Sequence, residues 1–315
     1  MLCGKAACGK RIINVCSFDL DFDGYLAMLI ETQTLAETSG STHGGIRGKL
    51  QQQGWARFDA ADLDHVEAKS HCLAQLSRYA DQLPVDRHGG AGRHRSYAEG
   101  VLAPNDGHVT WKPGFVGLDG AIEIEYRQEI GFQPEYGGVH RRFLRTSDSI
   151  LALPLIRKLI RFDLALTPLS ELDEPLLCGL HVLRMRALPG VMSRITPDCL
   201  HQDGQPFTAV HLIDRTSAVG GVNYIAPPQY AGRQVDDVPD EQVRAFSLHV
   251  PLESYIIDDA AVSHHVTSIS CAPGAPCGMR TVILIDFTPL DAVVRSPSDA
   301  ARPIVPTSNP EPVRD

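Results

Sequence analysis

At 315 residues with 43% hydrophobic side chains, the chain has enough material to bury a sizeable core in one large domain or two. A formal charge of −9 argues against nucleic acid or anionic membrane as the main partner, because both reward a basic surface. No apolar run reaches the roughly 18 residues that a bilayer-spanning helix needs, and the first twenty residues hold no sustained apolar stretch of the signal-peptide kind, so a cytoplasmic protein without a membrane partner is expected. The eight cysteines are scattered without a C-x-x-C pair, which reads as reduced thiols rather than a disulfide framework or a zinc ribbon.

In chain order, Asp19 to Gly24 imitates the opening of a calcium-binding loop, but Ile30 stands where the closing bidentate Glu is required, so calcium is not expected. Tyr25 to Leu35 reads as a helix instead. Gly44 to Gly54 turns polar and Gly-rich; Gly54 to Phe58 has the look of an early strand. Asp59 is placed to cap a helix carrying Leu63, Val66, Cys72, Leu73 and Leu76. Pro84 to Arg95 reads as a surface or active-site loop. Beyond it, Ile122 to Tyr126 alternates apolar and polar residues at the strand period. The apolar run from Ser149 to Leu166, interrupted by Pro154, predicts a core helix lying outside the main sheet. Leu176 to Met185 begins a second group of strands, with His181 and Arg184 on opposite faces. Both His181 and His211 are read as buried structural groups. Pro227 to Pro239 interrupts the strands as a surface insertion or a loop over the site.

The stretch from Thr196 to Ile225 carries the chemistry. His201 and Asp203 stand two apart, so an extended backbone projects an imidazole and a carboxylate to one face, with Gly204 and Pro206 bending the chain just after. His264 or His265 can supply a third ligand. Neighbours on a strand face opposite ways, so only one of the two can do so. Two histidines and one carboxylate with open positions form the facial set of non-haem Fe(II) oxygenases.

In order and spacing, TPDCLHQDG, HLIDR followed by VGG, the late HHVTSI and GMRTVILIDF resemble the 2-oxoglutarate/Fe(II)-dependent dioxygenases of the bacterial free-amino-acid hydroxylase group, which is isoleucine hydroxylase-like. EYGGVHRRF, GLHVLRMRA and the early GWARF are also similar to that family, and the main blocks span roughly residues 98–287. The chain departs from the family phrase at His265, where glycine is usual, and at Ser268, where proline is usual. The resemblance implies His201, Asp203 and His264 as the catalytic metal set and Arg280 as the residue holding the distal carboxylate of 2-oxoglutarate, a task suited to a planar fork. It places Arg141 and Arg142 beside the substrate, either of them a candidate grip on its carboxylate.

The fold implied is mainly β with flanking helices around a double-stranded β-helix, a jelly-roll of cupin-like form. Residues 1–95 are expected as a helical and strand layer on that core, 96–295 as the dioxygenase core, and the Pro-rich 296–315 as a disordered tail. The activity implied is hydroxylation of an unactivated C–H bond of a free L-amino acid, using Fe(II), 2-oxoglutarate and O2, with release of succinate and CO2 and with ascorbate as an aid to activity. Partners beyond that small molecule are not indicated, and no motif fixes an oligomeric state. Two alternatives stay open: a jelly-roll metalloprotein with a 2-oxoglutarate-independent reaction, and a non-catalytic sensor on the same scaffold.

Overall fold

A computed structural model describes residues 43–63, 69–103, 107–128, 138–194 and 197–290. The expectations for Asp19–Gly24, for a helix from Tyr25 and for the tail from 296 lie outside the described residues. Helices α1 (His43–Gln53), α2 (Lys69–Asp81), α3 (Asp148–Leu151) and α4 (Pro154–Leu166) accompany a mostly β chain. The polar, Gly-rich stretch before Trp55 thus folds as a helix. Its propensity is poor, but Ile46 and Leu50 stand one turn apart and are both buried, so packing overrides composition. Asp59 caps no helix in the described residues; its carboxylate accepts the Ala61 N–H at 2.7 Å and closes a local turn instead. At Pro154 the apolar run breaks into α3 and α4, with the proline in the first turn of α4, where its missing N–H costs nothing.

The large sheet contains β1 (Trp55–Phe58), β2 (Arg93–Leu102), β3 (Val109–Trp111), β4 (Phe115–Val116), β5 (Ile122–Tyr126), β6 (Arg141–Arg145), β7 (Leu176–Ala187), β8 (Phe207–Thr216), β12 (Ser254–Asp258) and β15 (Gly278–Pro289). Their order is β1-β12-β8-β15-β7-β2-β6-β5-β4, with β3 on β2. Facing it are the short sheet of β10 (Val222–Ala226), β11 (Arg244–Ser247) and β13 (Ser263–Val266), and the pair β9 (Ala218–Gly220) and β14 (Ile269–Cys271). Facing sheets of strands that pair antiparallel over long range, the β2–β6 pair alone among the described strands being parallel, make the double-stranded β-helix that the resemblance implies.

The period of two divides the long strands between a helix-packed face and a cavity face. Leu180 and Val182 of β7, Ile283 and Ile285 of β15 and Ala209 of β8 join Leu155, Leu159 and Leu76 from the helices in one core. Leu183 and Met185, Val282 and Leu284, and Val210 point the other way and line an internal cavity. Burial on both faces explains why β7 and β15 read as nearly unbroken apolar runs. Across the outer layer, His211 bonds Asp163 of α4 at 2.9 Å and Ser254 of β12 at 2.9 Å, all three sealed from solvent, so this Asp–His–Ser array is a structural pin. No helix among the described residues is long and apolar enough to cross a membrane.

Candidate active site

The metal-ligating candidates meet at one point of that cavity. His201 lies in a loop that touches β13 through a single bridge: its N–H donates to the His264 carbonyl and the His264 N–H donates back, each at 2.9 Å. Asp203 follows two residues later with its carboxylate between the rings, Oδ1 at 3.6 Å from His201 Nε2 and Oδ2 at 3.4 Å from His264 Nε2. The ligand atoms of the three lie within 4.8 Å of one another, a spacing one divalent ion can bridge. The His201 Nδ1–H donates to the Cys199 carbonyl at 3.2 Å, which leaves Nε2, the nitrogen on the Asp203 side, as the one available to a metal. His265 faces the other way, with Nδ1 at 3.1 Å from the Pro197 carbonyl and its ring stacked on Tyr224. Burial opposes a charge on Asp203, but the imidazoles of His264 and His201 outweigh it and hold the carboxyl well below its usual range.

Behind this set stands a residue that the sequence reading passed over. Asp259, at the turn after β12, accepts the N–H groups of Asp203 at 2.8 Å and Gly204 at 2.7 Å on its two carboxylate oxygens, while the Gln202 amide donates to its carbonyl. Gly204 has a φ of +82°, so the tight turn that presents Asp203 demands glycine. Burial, reinforced by Asp203, pushes the Asp259 carboxyl up to about 6.

At one end of the β15 cavity row sits Arg280, 1% exposed, with its Nε and Nη2 buried and without a hydrogen-bond partner among the described residues. Buried guanidinium donors left open are a site for a carboxylate. Burial, with the charge of Arg215 adding, brings the Arg280 pKa down to about 10, and the Tyr255 hydroxyl works the other way. The VGG motif makes room for this arginine, because a Cβ at Gly221 would stand 3.2 Å from Arg280 Cδ.

A second guanidinium group lines the cavity on the side of β2, β5 and β6. Arg141 is buried, lies 4.8 Å from the centre of the Tyr126 ring and donates to the Gln128 carbonyl oxygen, while the Gln128 amide donates to the Asp203 carbonyl at 3.1 Å. One glutamine therefore ties Arg141 to the loop bearing the metal candidates. Arg142 points outward, exposed, with Glu125 at 3.5 Å and the Phe115 ring at 5.0 Å, because alternation on β6 admits only one of the two to the cavity. Arg95, equally buried, rests over Phe143 at 4.2 Å and donates to His181 Nδ1 at 2.6 Å. His181 thereby carries its proton on Nε2 and reaches Asp286 at 3.3 Å; burial, with Arg95 adding, keeps its pKa well below the usual value. Leu183, Val210, Ile257, Val282 and Leu284 complete an apolar wall around a volume of about 210 Å³. His88, Gly89 and Gly90 also line it, so the loop from Pro84 is an active-site loop, whereas nothing from Pro227 to Pro239 does. That insertion instead packs Val238 against Leu200 and exchanges backbone bonds with Leu200 from Arg233 and Gly232, bracing the ligand loop from outside.

The profile of the 2OG-Fe dioxygenase family matches residues 77–286. The chain belongs to the 2OG-Fe dioxygenase family. A Bacillus thuringiensis protein named L-isoleucine-4-hydroxylase is 30% identical over 232 residues, covering 70% of this chain and 85% of that protein. A Pantoea ananatis protein named 3(1)-hydroxy-L-isoleucine 4-dioxygenase is 24% identical over 68% of this chain and 80% of its own length. The crystal structure of IDO from Bacillus thuringiensis superposes with a TM-score of 0.62 at 23% identity, covering 81% of this chain and 98% of that one, a likeness of fold. As a 2OG-Fe dioxygenase the chain is an oxidoreductase that uses Fe(II), 2-oxoglutarate and O2. The donor set fits them: a clustered His–Asp–His group for the ion, and open buried donors on Arg280 for a dicarboxylate.

Proposed function

We propose that this dioxygenase hydroxylates an unactivated C–H bond of a free aliphatic L-amino acid, with His201, Asp203 and His264 holding Fe(II), Arg280 holding 2-oxoglutarate and Arg141 holding the substrate carboxylate. The observation that carries this reading is the division of one small cavity between guanidinium groups: Arg280 on β15, and Arg141 on β6, linked through Gln128 to the backbone of Asp203. Two carboxylate-bearing small molecules thus have separate seats around the same His–Asp–His group. When bound, iron and 2-oxoglutarate supply the oxidising power, consuming O2 and releasing succinate and CO2 as one oxygen atom enters the substrate.

The chain's own residues do the positioning. The Cys199 carbonyl fixes the His201 tautomer, Asp259 fixes the Asp203 backbone, and Gln128 couples the substrate seat to that same loop. The apolar wall, which includes Leu183, Val210 and Val282, takes an aliphatic side chain and excludes water from the bond to be oxidised. The relatives' names, both built on isoleucine, support the same substrate class. The test is succinate formation by anaerobically purified protein supplied with Fe(II), 2-oxoglutarate, ascorbate and O2, screened over the free amino acids by mass for a one-oxygen gain. Succinate coupled to one hydroxylated amino acid is the expected result. Succinate with no hydroxylated amino acid overturns the substrate assignment.

A further inference from the structure

One carboxylate in this cavity has no part in the roles above. On β15 the cavity-facing row runs Arg280, Val282, Leu284, Asp286, so Arg280 and Asp286 stand about 20 Å apart along the strand at some 3.3 Å per residue. Asp286 is 8% exposed, and the only ionisable side chain within ion-pair range of it among the described residues is His181. That imidazole, 3.3 Å away, brings no charge, because Arg95 donates to its Nδ1 and its single proton sits on Nε2. A buried carboxylate without a cation is costly to keep, and replacing such a group by a neutral one ordinarily stabilises a fold. The chain also makes deliberate room for it. Gly179 faces Asp286 across the β7–β15 pair, and a Cβ there would fall 2.3 Å from Asp286 Oδ2.

We propose that Asp286 receives the ammonium group of the substrate, and that it restricts this enzyme to amino acids whose amine is free. The inference rests on the amino-acid reading above and deepens it. Arg141, which takes the substrate carboxylate in that reading, and Asp286 line the same cavity. The cavity therefore offers a guanidinium group to the carboxylate end of an amino acid and a carboxylate to its ammonium end. His201, Asp203 and His264 line that cavity too, so the metal group and Asp286 face one enclosed space. A residue within a peptide or an N-acylated amino acid has no ammonium to offer and would leave the Asp286 charge buried and unmatched, so both are rejected.

The experiment compares ligands that differ only in the amine. Protein loaded with Mn(II) and 2-oxoglutarate, kept anaerobic so that no turnover occurs, is titrated calorimetrically with L-isoleucine, N-acetyl-L-isoleucine and 3-methylpentanoic acid, the same skeleton without the amine. L-leucine and L-valine are run beside them with their own amine-free acids. Wild type is expected to favour the amino acid over its amine-free partner by about 100-fold, the scale of a buried charge pair. In Asp286→Asn that preference should fall to within about 3-fold while affinity for 2-oxoglutarate is unchanged. Gly179→Ala, which displaces the carboxylate without deleting it, should give an intermediate loss and guards against a folding artefact. A preference retained in full by both variants overturns the assignment of Asp286 alone. Failure of wild type to bind any amino acid overturns the amino-acid reading itself, and this inference with it.

Discussion

His201 and His264 exchange both of their backbone hydrogen bonds, each N–H donating to the other's carbonyl at 2.9 Å. That bridge, rather than a continuous strand through His201, fixes which histidine of the 264–265 pair faces Asp203. Parity on β13 then sends the next ring away toward Pro197 and Tyr224. His264→Ala should therefore abolish stoichiometric iron binding, whereas His265→Ala should retain it. Metal content after anaerobic reconstitution checks both. Asp203→Ala should also lose metal and turnover while keeping its melting transition, since a side chain 22% exposed in a loop leaves no core cavity. Iron retained in the Asp203 or His264 variant would sink the assigned set.

Arg280→Ala removes the buried donors that have no partner among the described residues. The KM for 2-oxoglutarate should rise on the order of 100-fold, as for one lost partner of a buried charge pair, with little change in the KM for the amino acid. Equal effects on both would place the cosubstrate elsewhere.

How far the sequence could be read depended on whether a signal was local. His201 and Asp203 stand two apart, and Arg280 opens an apolar run, so both were legible from short windows and from resemblance. Asp259 was not, since its whole role is two hydrogen bonds to a loop that meets it only in the fold. Asp286 did leave a trace: it shares parity with Arg280, but a carboxylate at the end of an apolar run reads equally well as a strand terminus. The helix from His43 was hidden by its glycines, because the burial of Ile46 and Leu50 that stabilises it is tertiary. The insertion from Pro227 has the same proline-rich composition whether it covers a cavity or braces a loop.

Asp259 presents a carboxylate oxygen to each of two N–H groups, and an asparagine would turn its NH2 toward one of them. Asp259→Asn should then weaken iron affinity by about 10- to 100-fold, the usual effect of losing an outer-shell support. Competition titration against a chelator measures it directly. An affinity within twofold of wild type would show that the loop holds Asp203 without this help.

Burial pushes the Asp286 carboxyl up to about 7, with Glu99 and Asp203 adding and Arg95 opposing. In the unfolded chain it titrates near 3.8, so between those values the folded protein holds a proton that the unfolded chain has lost. Its contribution to stability accordingly falls as pH rises from about 4 to about 7 and stays flat above. Asp286→Asn abolishes this dependence. The variant's advantage over wild type should be near zero at about pH 4 and grow to a few kcal/mol at about pH 8. Urea unfolding of the ligand-free proteins at both pH values tests it, and parallel pH profiles would contradict burial of this carboxyl as the cause.

His211 and Asp163 set the final prediction on the opposite side of the sheet, where neither touches the cavity. Both are 0% exposed, and Asp163 Oδ1 already has no hydrogen-bond partner among the described residues, so the His211 ring is the principal support of that carboxyl, whose pKa burial raises. His211→Leu would strand a buried acid and should cost about 3–5 kcal/mol. Replacing Asp163 by leucine as well removes the stranded group and should recover much of the loss, since an apolar pair of similar volume is often as stable as the ionic one. The folded fraction of either variant should turn over at the wild-type rate. A single variant as stable as wild type, or a double variant no better than the single, would mean that α4 is held to the sheet by its leucines and isoleucines alone.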